Sequence, residues 1–131
     1  MILPGNEINT LPVIQYDEVK GTIHIKGRSI GLQTQEYFEE FFTYFKDCVE
    51  KFPINLDITF ELDYFNTVTS KMICHFLYMV KTYIIDKGFK ANITWIYEED
   101  DEDQKESGEN FQILTGLKFN MMSKPSKFER F

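Results

Sequence analysis

Two different hydrophobic periods meet near the middle of the chain. From Ile54 to Asn66, apolar side chains occupy every second position and polar side chains fill the gaps, which is typical of a strand with one solvated face. From Met72 onward, apolar residues recur at helical spacing until Lys87-Gly88, where a basic residue followed by glycine marks a helix end. The segment between the two patterns is therefore predicted to join a strand to a helix; it reads Asn66-Thr67-Val68-Thr69-Ser70-Lys71.

Similar patterns predict the other elements. Two short strands, Val13 to Tyr16 and Thr22 to Lys26, are expected to form a hairpin. Thr34 is a suitable N-cap for a helix from Gln35 to Phe52, which Pro53 ends. The remaining elements are expected to be a strand from Ala91 to Tyr97, a helical stretch from Glu109 to Leu114 and a last strand from Leu117 to Met121.

The resulting order, β-β-α-β-α-β-α-β, predicts a two-layer α/β sandwich. The strands on either side of the second helix form a βαβ unit, which makes a right-handed crossover between parallel neighbours. Because polar residues alternate regularly along the long strand, we expect one sheet face to be solvated and the helices to lie on the other. We therefore predict one domain over residues 1–131, with a mixed four- to five-stranded sheet and helices on one face. The junction then lies at the carboxyl end of a parallel strand, where α/β folds usually place function.

Composition excludes several functional classes. The chain has 131 residues and a formal net charge of -7, and its lysines do not cluster, so we expect it to bind neither nucleic acid nor anionic membranes. Cys48 and Cys74 occupy apolar positions on different predicted helices without C-x-x-C spacing, which favours reduced thiols. The sequence shows no signal-peptide pattern and no long apolar run, so a soluble cytoplasmic protein is expected.

The junction carries three hydroxyl side chains, Thr67, Thr69 and Ser70, and each can accept a phosphate. The first N–H groups of a helix lack partners and carry the positive end of its dipole, so a phosphate on Thr67 would be tolerated, with a gain of about 0.3–1 kcal/mol at an exposed site. Lys71 is one turn away and can reach the same place. Phosphorylation would add roughly -1.5 to -2 charges and alter any surface that docks there. The alternative is that Asn66 or Thr67 only caps the helix.

Two other features are weaker candidates for chemistry. The six consecutive acids at positions 98–103 lack the spacing of a calcium-binding EF-hand, which favours a solvated loop over a metal site. His24 falls on the predicted solvated sheet face and His75 falls within the second helix, so neither is brought to Asp63 or Thr67 as a catalytic base. The sequence also lacks a glycine-rich phosphate loop and a nucleophile elbow. We therefore expect no enzyme, cofactor or metal.

Five segments occur in an order that resembles a known family. They are Thr10-Leu11-Pro12-Val13, the strand from Gly21 to Ser29, Tyr64-Phe65-Asn66-Thr67 with Lys71, the run from Trp95 to Asp101, and Gly108-Glu109-Asn110-Phe111. Together they resemble the SiaC-family regulatory phosphoproteins. The junction itself is similar to the phosphoacceptor site of STAS-type anti-anti-sigma factors.

The resemblance implies a STAS-like fold and a small cytoplasmic bacterial partner-switch protein. It places the phosphoacceptor on Thr67, with Asn66 and Lys71 as supporting residues, and leaves Thr69 and Ser70 as alternative acceptors. The implied partners are a GHKL-like Ser/Thr kinase, a PP2C-type phosphatase and a downstream effector such as a GGDEF diguanylate cyclase. The chain departs from the family pattern at Val68, where a small hydroxyl residue is common, and at Gly31-Leu32-Gln33, where the family often has a Pro-Glu helix entry.

A constitutive protein-interaction module is the alternative function. In that case exposed aromatic side chains, such as Tyr37 or Tyr44 on the first helix, would bind a partner without any modification. The two hypotheses differ in whether a phosphate is found at the junction.

Overall fold

A mixed β-sheet with three α-helices makes up the computed structural model, which describes residues 1–126. The strands are β1 (Ile2–Leu3), β2 (Val13–Asp17), β3 (Thr22–Ser29), β4 (Leu56–Phe65), β5 (Ala91–Glu98) and β6 (Asn120–Lys124). The helices are α1 (Thr34–Lys51), α2 (Thr67–Tyr83) and α3 (Glu102–Thr115), and a 3-10 turn at Ile85–Lys87 follows α2.

The strands lie side by side in the order in which the chain forms them. The pairs β1–β2 and β2–β3 are antiparallel, and the pairs β3–β4, β4–β5 and β5–β6 are parallel. The predicted α/β architecture and the element order from β2 onward are confirmed, but the described residues form six strands rather than four or five. The additional strand is β1, whose two residues are too few to show an alternation of apolar and polar side chains. Only its pairing with Ile14 and Gln15 of β2 identifies it.

All three helices pack on the same face of the sheet. The strand register places Tyr16, Phe60 and Trp95 on one face, because inward residues pair across neighbouring strands. Tyr16 contacts Phe41 of α1, Phe60 contacts Phe76 of α2, and Trp95 contacts Phe111 of α3, with ring centroids 5.5–6.4 Å apart. The opposite face carries polar residues of β3 and β4, as the alternation predicted; they include Thr22, His24, Lys26, Asp57, Thr59 and Glu61.

An aromatic cluster joins α1 and α2 to the sheet. The ring of Phe76 lies 5.2 Å from both Phe41 and Phe45 and 6.4 Å from Phe60, and each of these side chains is fully buried. Burial of a phenylalanine contributes about 1.5–3 kcal/mol to folding, so this cluster fixes how α2 lies on the sheet. It therefore also fixes the place of the junction at the start of α2.

Two predicted helix boundaries, the start of α1 and the end of α2, are wrong. Helix α1 begins at Thr34 itself, since Gln33 occupies the N-cap position and the Thr34 hydroxyl donates to the Gly31 carbonyl at 2.6 Å. Helix α2 ends at Tyr83 rather than at Lys87, because the chain tightens into a 3-10 turn before it reverses at Gly88 (φ 91°).

The acidic run is not a simple loop. Asp101 caps α3 by accepting from the Gln104 backbone N–H at 3.0 Å, and Glu102 and Asp103 lie in the first turn of that helix. Acids at a helix N-terminus interact favourably with its dipole, so α3 begins seven residues earlier than the predicted Glu109. The last strand is shifted the other way, toward the C-terminus, and runs over β6 (Asn120–Lys124) rather than from Leu117 to Met121.

Within residues 1–126, none of the helices is both long enough and apolar enough to cross a membrane. Both cysteines, Cys48 and Cys74, are free thiols and partly buried, and burial raises the pKa of the Cys74 thiol.

Candidate functional site

Asn66 is the single residue between the end of β4 and the start of α2. Its backbone is extended (φ -100°, ψ -179°), and its N–H donates to the Ser29 carbonyl at the end of β3. Its side-chain oxygen accepts from the Thr69 backbone N–H at 2.9 Å, and its carbonyl accepts from the Ser70 N–H at 3.1 Å. Asn66 is thus the N-cap of α2, one of the two capping residues that the sequence left open.

Thr67 is the first residue of α2, and its side chain is exposed to solvent. Val68 follows with 39% exposure, and the exposed Lys71 lies one turn further along the helix. The geometry that the sequence predicted for this residue, a hydroxyl in water at the first turn after the long strand, is present. A phosphate on Thr67 would therefore meet solvent, the start of a helix dipole and a lysine in the next turn.

Thr69 lies only two residues away but is fully buried. Its hydroxyl is 2.7 Å from the hydroxyl of Ser29, 2.8 Å from the Ser29 carbonyl and 2.9 Å from the side-chain oxygen of Asn66. Ser29 is fully buried as well. Thr69, an alternative acceptor in the sequence-based prediction, would have to break this network and leave the interior before it could accept a phosphate.

Ser70, the other alternative acceptor, is partly buried. Its hydroxyl donates to the Asn66 carbonyl over a long 3.4 Å. Of the three candidate hydroxyls, Thr67 alone is both exposed and without a role in holding the junction together in the described structure.

A β-bulge next to the junction turns one side chain the opposite way from its prediction. The register of β3 against β4 advances from Gly27 opposite Leu62 to Arg28 opposite Tyr64, so Asp63 is an extra residue in β4. Tyr64, predicted to point inward, is consequently 67% exposed, and Phe65 turns inward against Trp95. The Arg28 guanidinium lies 5.8 Å from the centre of the Tyr64 ring. Alternation within β4 could not reveal this, since the shift depends on the partner strand.

Sequence reasoning also missed the role of Ser29. It is the last residue of β3 and supplies three of the oxygen contacts that fix the start of α2, two to Thr69 and one to Asn66. The available signal was a small hydroxyl residue that follows the inward positions Ile23 and Ile25 at even spacing.

An ionic cluster lies on the open face of the sheet, away from the helices. Lys124 of β6 contacts Glu61 at 3.1 Å and Asp63 at 3.6 Å, and His24 Nε2 lies 3.4 Å from Glu61. Burial alone would raise the pKa of the Glu61 carboxyl, but the hydrogen bond and charge of Lys124 outweigh burial and hold that pKa below its ordinary value. His24 therefore lies beside the Glu61–Lys124 ion pair and is not brought to the Thr67 hydroxyl.

Other predicted candidates have structural contacts of their own. His75 is exposed on α2, and its ring packs against Phe42 of α1 with the ring centres 5.1 Å apart and the planes tilted by 34°. Tyr37 and Tyr44, the aromatics expected to serve a constitutive interaction surface, are partly buried. Tyr37 donates to the Pro12 carbonyl and Tyr44 donates to Glu18. In residues 1–126, no three His, Cys, Asp or Glu side chains are arranged to hold a metal ion.

Comparison with protein families and known structures gives a consistent result. The model of the family described as SiaC family regulatory phosphoprotein matches residues 6–124. No curated protein matches the sequence. The fold is similar to the crystal structure of apo-SiaC from Pseudomonas aeruginosa, with a TM-score of 0.82 and 21% identity over 94% of this chain and 98% of the other.

A chain in the crystal structure of the diguanylate cyclase SiaD in complex with its activator SiaC, also from Pseudomonas aeruginosa, is equally similar. The TM-score is 0.85 at 21% identity, over 95% of this chain and 99% of the other. At this level of identity, the two structures establish that the fold is shared.

Proposed function

Because the chain belongs to the SiaC family of regulatory phosphoproteins, we propose that it is a partner-switch protein whose binding to a downstream target is controlled by reversible phosphorylation of Thr67. Membership of that family makes the chain a regulatory protein and not an enzyme.

The observation that carries the proposal is the contrast among the junction hydroxyls. Thr67 is exposed at the first position of α2, whereas Thr69 is locked in the buried network with Ser29. A phosphate on Thr67 breaks no hydrogen bond of the junction, so the fold is expected to remain intact. It adds roughly -1.5 to -2 charges to the surface at that point. A modification of this kind changes what docks on the surface without unfolding the protein.

The proposed partners follow from the family and from a complex formed by one of its members. SiaC of Pseudomonas aeruginosa is described as the activator of the diguanylate cyclase SiaD. By analogy we propose that the unmodified form of this chain binds and activates a GGDEF diguanylate cyclase, in the bacterial cytoplasm, as part of cyclic-di-GMP signalling. A GHKL-like kinase would add the phosphate and a PP2C-type phosphatase would remove it, in the manner of STAS-type anti-anti-sigma factors.

The direct test uses purified protein and the GGDEF cyclases of the source organism. Cyclic-di-GMP production is measured with unmodified protein, with kinase-treated protein, and with the variants Thr67→Ala and Thr67→Asp. We expect the unmodified protein and Thr67→Ala to activate one cyclase, and the phosphorylated protein to activate it poorly. Thr67→Asp is expected to be weak as well, although a carboxylate imitates a phosphate dianion imperfectly. Equal activation by all four forms would contradict the switch.

A constitutive interaction module remains the second candidate, because several large apolar side chains outside the junction segment are exposed. Leu32 is 99% exposed and Ile113 is 79% exposed. Mass spectrometry after incubation with cell extract and ATP separates the two functions. Absence of phosphate from Thr67, Thr69 and Ser70 under every growth condition would favour the constitutive module.

A further inference from the structure

The outward face of α2 differs in charge from the rest of the helical layer. From Thr67 to Tyr83 the helix contains no Asp or Glu, although the chain has 21 acidic residues and a net charge of -7. Its exposed residues after Thr67 fall at helical spacing on one line, which we call the α2 strip: Val68, Lys71, His75, Tyr78 and Thr82.

The two neighbouring helices present the opposite chemistry. Both expose rows of carboxylates to solvent: Glu36, Glu39, Glu40, Asp47 and Glu50 on α1, and Glu102, Asp103, Glu106 and Glu109 on α3. The α2 strip is thus a line without carboxylates, with apolar and aromatic side chains and the single cation Lys71, between two helices that expose many acids. Charge arranged in this way selects partners by sign and steers their approach.

A groove of about 350 Å³ lies at the far end of the strip, where α2 meets α1. Aromatic, aliphatic and basic side chains line it, and no carboxylate does so within residues 1–126: Lys46, His75, Tyr78, Met79, Thr82 and Tyr83. The Lys46 ammonium lies 6.0 Å from the centre of the Tyr83 ring. The groove has the composition of a pocket for an apolar side chain.

Contacts on the other side of the strip hold Tyr78 in place. Its hydroxyl donates to the Leu114 carbonyl of α3 at 2.9 Å, and the Lys81 ammonium lies 5.6 Å from the centre of its ring. Tyr78 still exposes 49% of its surface and Leu114 exposes 63%. An aromatic side chain that is held but exposed suits an interface, because little conformational entropy is lost when it is covered.

We propose that the α2 strip is the surface on which the unmodified protein binds its downstream target, through a target segment that carries an apolar side chain for the groove and a carboxylate for Lys71. This inference rests on the proposed function and specifies its partner. A helix rises 1.5 Å per residue, so Lys71 and Tyr78 are about 10 Å apart along α2, within the span of one short segment.

The same surface explains how a phosphate on Thr67 would act. Lys71 is one turn from Thr67, and (i, i+4) side chains on a helix are neighbours. A phosphate dianion on Thr67 would pair with Lys71 and repel the target carboxylate that the lysine otherwise attracts. Phosphorylation would therefore change the charge of the strip at its first turn from positive to negative and leave the groove unchanged.

The test measures binding to the purified cyclase that the unmodified protein activates, on a biosensor, with strip variants and matched controls. Lys71→Glu and Tyr78→Ala change the strip. Lys87→Glu reverses an exposed lysine outside it, and Phe52→Ala removes an aromatic that is 78% exposed at the end of α1 and belongs neither to the strip nor to the lining of the groove. We expect each strip variant to weaken binding about tenfold or more and each control to stay within about twofold. Raising the salt concentration should weaken cyclase binding by the wild type more than cyclase binding by Lys71→Ala.

Three outcomes would overturn the inference. If both strip variants bind like the wild type while phosphorylation of Thr67 still abolishes binding, the strip is not the docking surface although the switch stands. If the strip variants weaken self-association of this chain in sedimentation experiments and leave cyclase binding intact, a second copy is the occupant. If no GGDEF cyclase binds and Thr67 is never modified, the proposed function fails with the inference. Circular dichroism and urea unfolding of Tyr78→Ala and Tyr78→Phe separate loss of binding from loss of fold.

Discussion

Thr67 and Thr69 are two residues apart in the first turn of α2, yet the first is exposed to solvent and the second is fully buried. The Thr69 hydroxyl is 2.7 Å from the hydroxyl of Ser29, which lies 40 residues earlier at the end of β3. The junction therefore combines an accessible hydroxyl with a fixed one. The buried hydroxyl anchors the turn on which the exposed hydroxyl is presented.

This contrast predicts which hydroxyl a kinase modifies. Kinase-treated protein should carry phosphate on Thr67 and not on Thr69, because Thr69 would have to leave its buried hydrogen bonds first. Thr67→Ala should abolish the label rather than move it to Thr69. Tandem mass spectrometry of the peptide that contains both residues is the measurement, and a phosphate found mainly on Thr69 would contradict the assignment.

The buried network should also contribute to stability. Thr69→Val keeps the shape of the side chain but leaves the Ser29 hydroxyl buried without this partner, which should lower the free energy of unfolding by about 1–3 kcal/mol. The exposed change Thr67→Val should stay within about 0.5 kcal/mol. Urea unfolding measures both, and Thr69→Ser, which keeps the hydroxyl, should recover part of the loss. Equal stability of the two valine variants would show that the network is energetically neutral.

Capping by Asn66 predicts a second stability difference. Asn66→Ala removes the acceptor of the Thr69 backbone N–H and should cost about 1 kcal/mol. Asn66→Asp keeps an acceptor and places a negative charge at the helix start, so it should be close to the wild type. Thermal and urea unfolding of the two variants check this ranking; an alanine variant as stable as the wild type would rule out a capping contribution.

The contact between α3 and β5 leaves no room for a side chain at Gly108. A Cβ at this position would lie 2.6 Å from the Trp95 ring, so Gly108→Ala should overpack the interface and lower the free energy of unfolding by about 1–3 kcal/mol. The higher helix propensity of alanine offsets only roughly 1 kcal/mol of this loss. The fluorescence of Trp95, the one tryptophan of the chain, reports the disturbance. Asn110→Ala, exposed on the same helix, is the control and should be neutral or slightly stabilising.

The ion pair between Glu61 and Lys124 predicts a pH dependence. The folded-state pKa of Glu61 lies below its ordinary value of 4.5, so the pair stabilises the fold above that pH, and the stabilisation is lost as pH falls through the folded pKa. Lys124→Met should raise the pKa of Glu61 and lower stability by roughly 1 kcal/mol near neutral pH. The difference from the wild type should shrink as the pH falls below 4.5 and Glu61 becomes protonated.

NMR titration of the Glu61 carboxyl measures this effect directly. Lys87→Met, at an exposed lysine of the 3-10 turn, is the matched control and should leave the Glu61 titration unchanged. An unchanged pKa in Lys124→Met would show that the lysine does not hold the carboxylate in its charged form.

The sequence by itself determined the elements whose periods are local. Alternation in β4 predicted the inward Leu56, Ile58 and Phe60, and helical spacing predicted the buried stripe of α2 from Ile73 to Val80. It also identified Asn66 and Thr67 as the end of one period and the beginning of the next. These features depend on neighbouring residues in the chain, because side-chain direction follows from backbone geometry alone.

The tertiary structure alone decided the features that depend on distant partners. The outward turn of Tyr64 requires the register shift against Gly27 and Arg28, and β1 exists only because Ile14 and Gln15 pair with it. The burial of Thr69 requires Ser29 on the adjacent strand. A sequence pattern specifies which way a side chain points within its own element, but which hydroxyl is sealed and which meets water depends on what packs against that element.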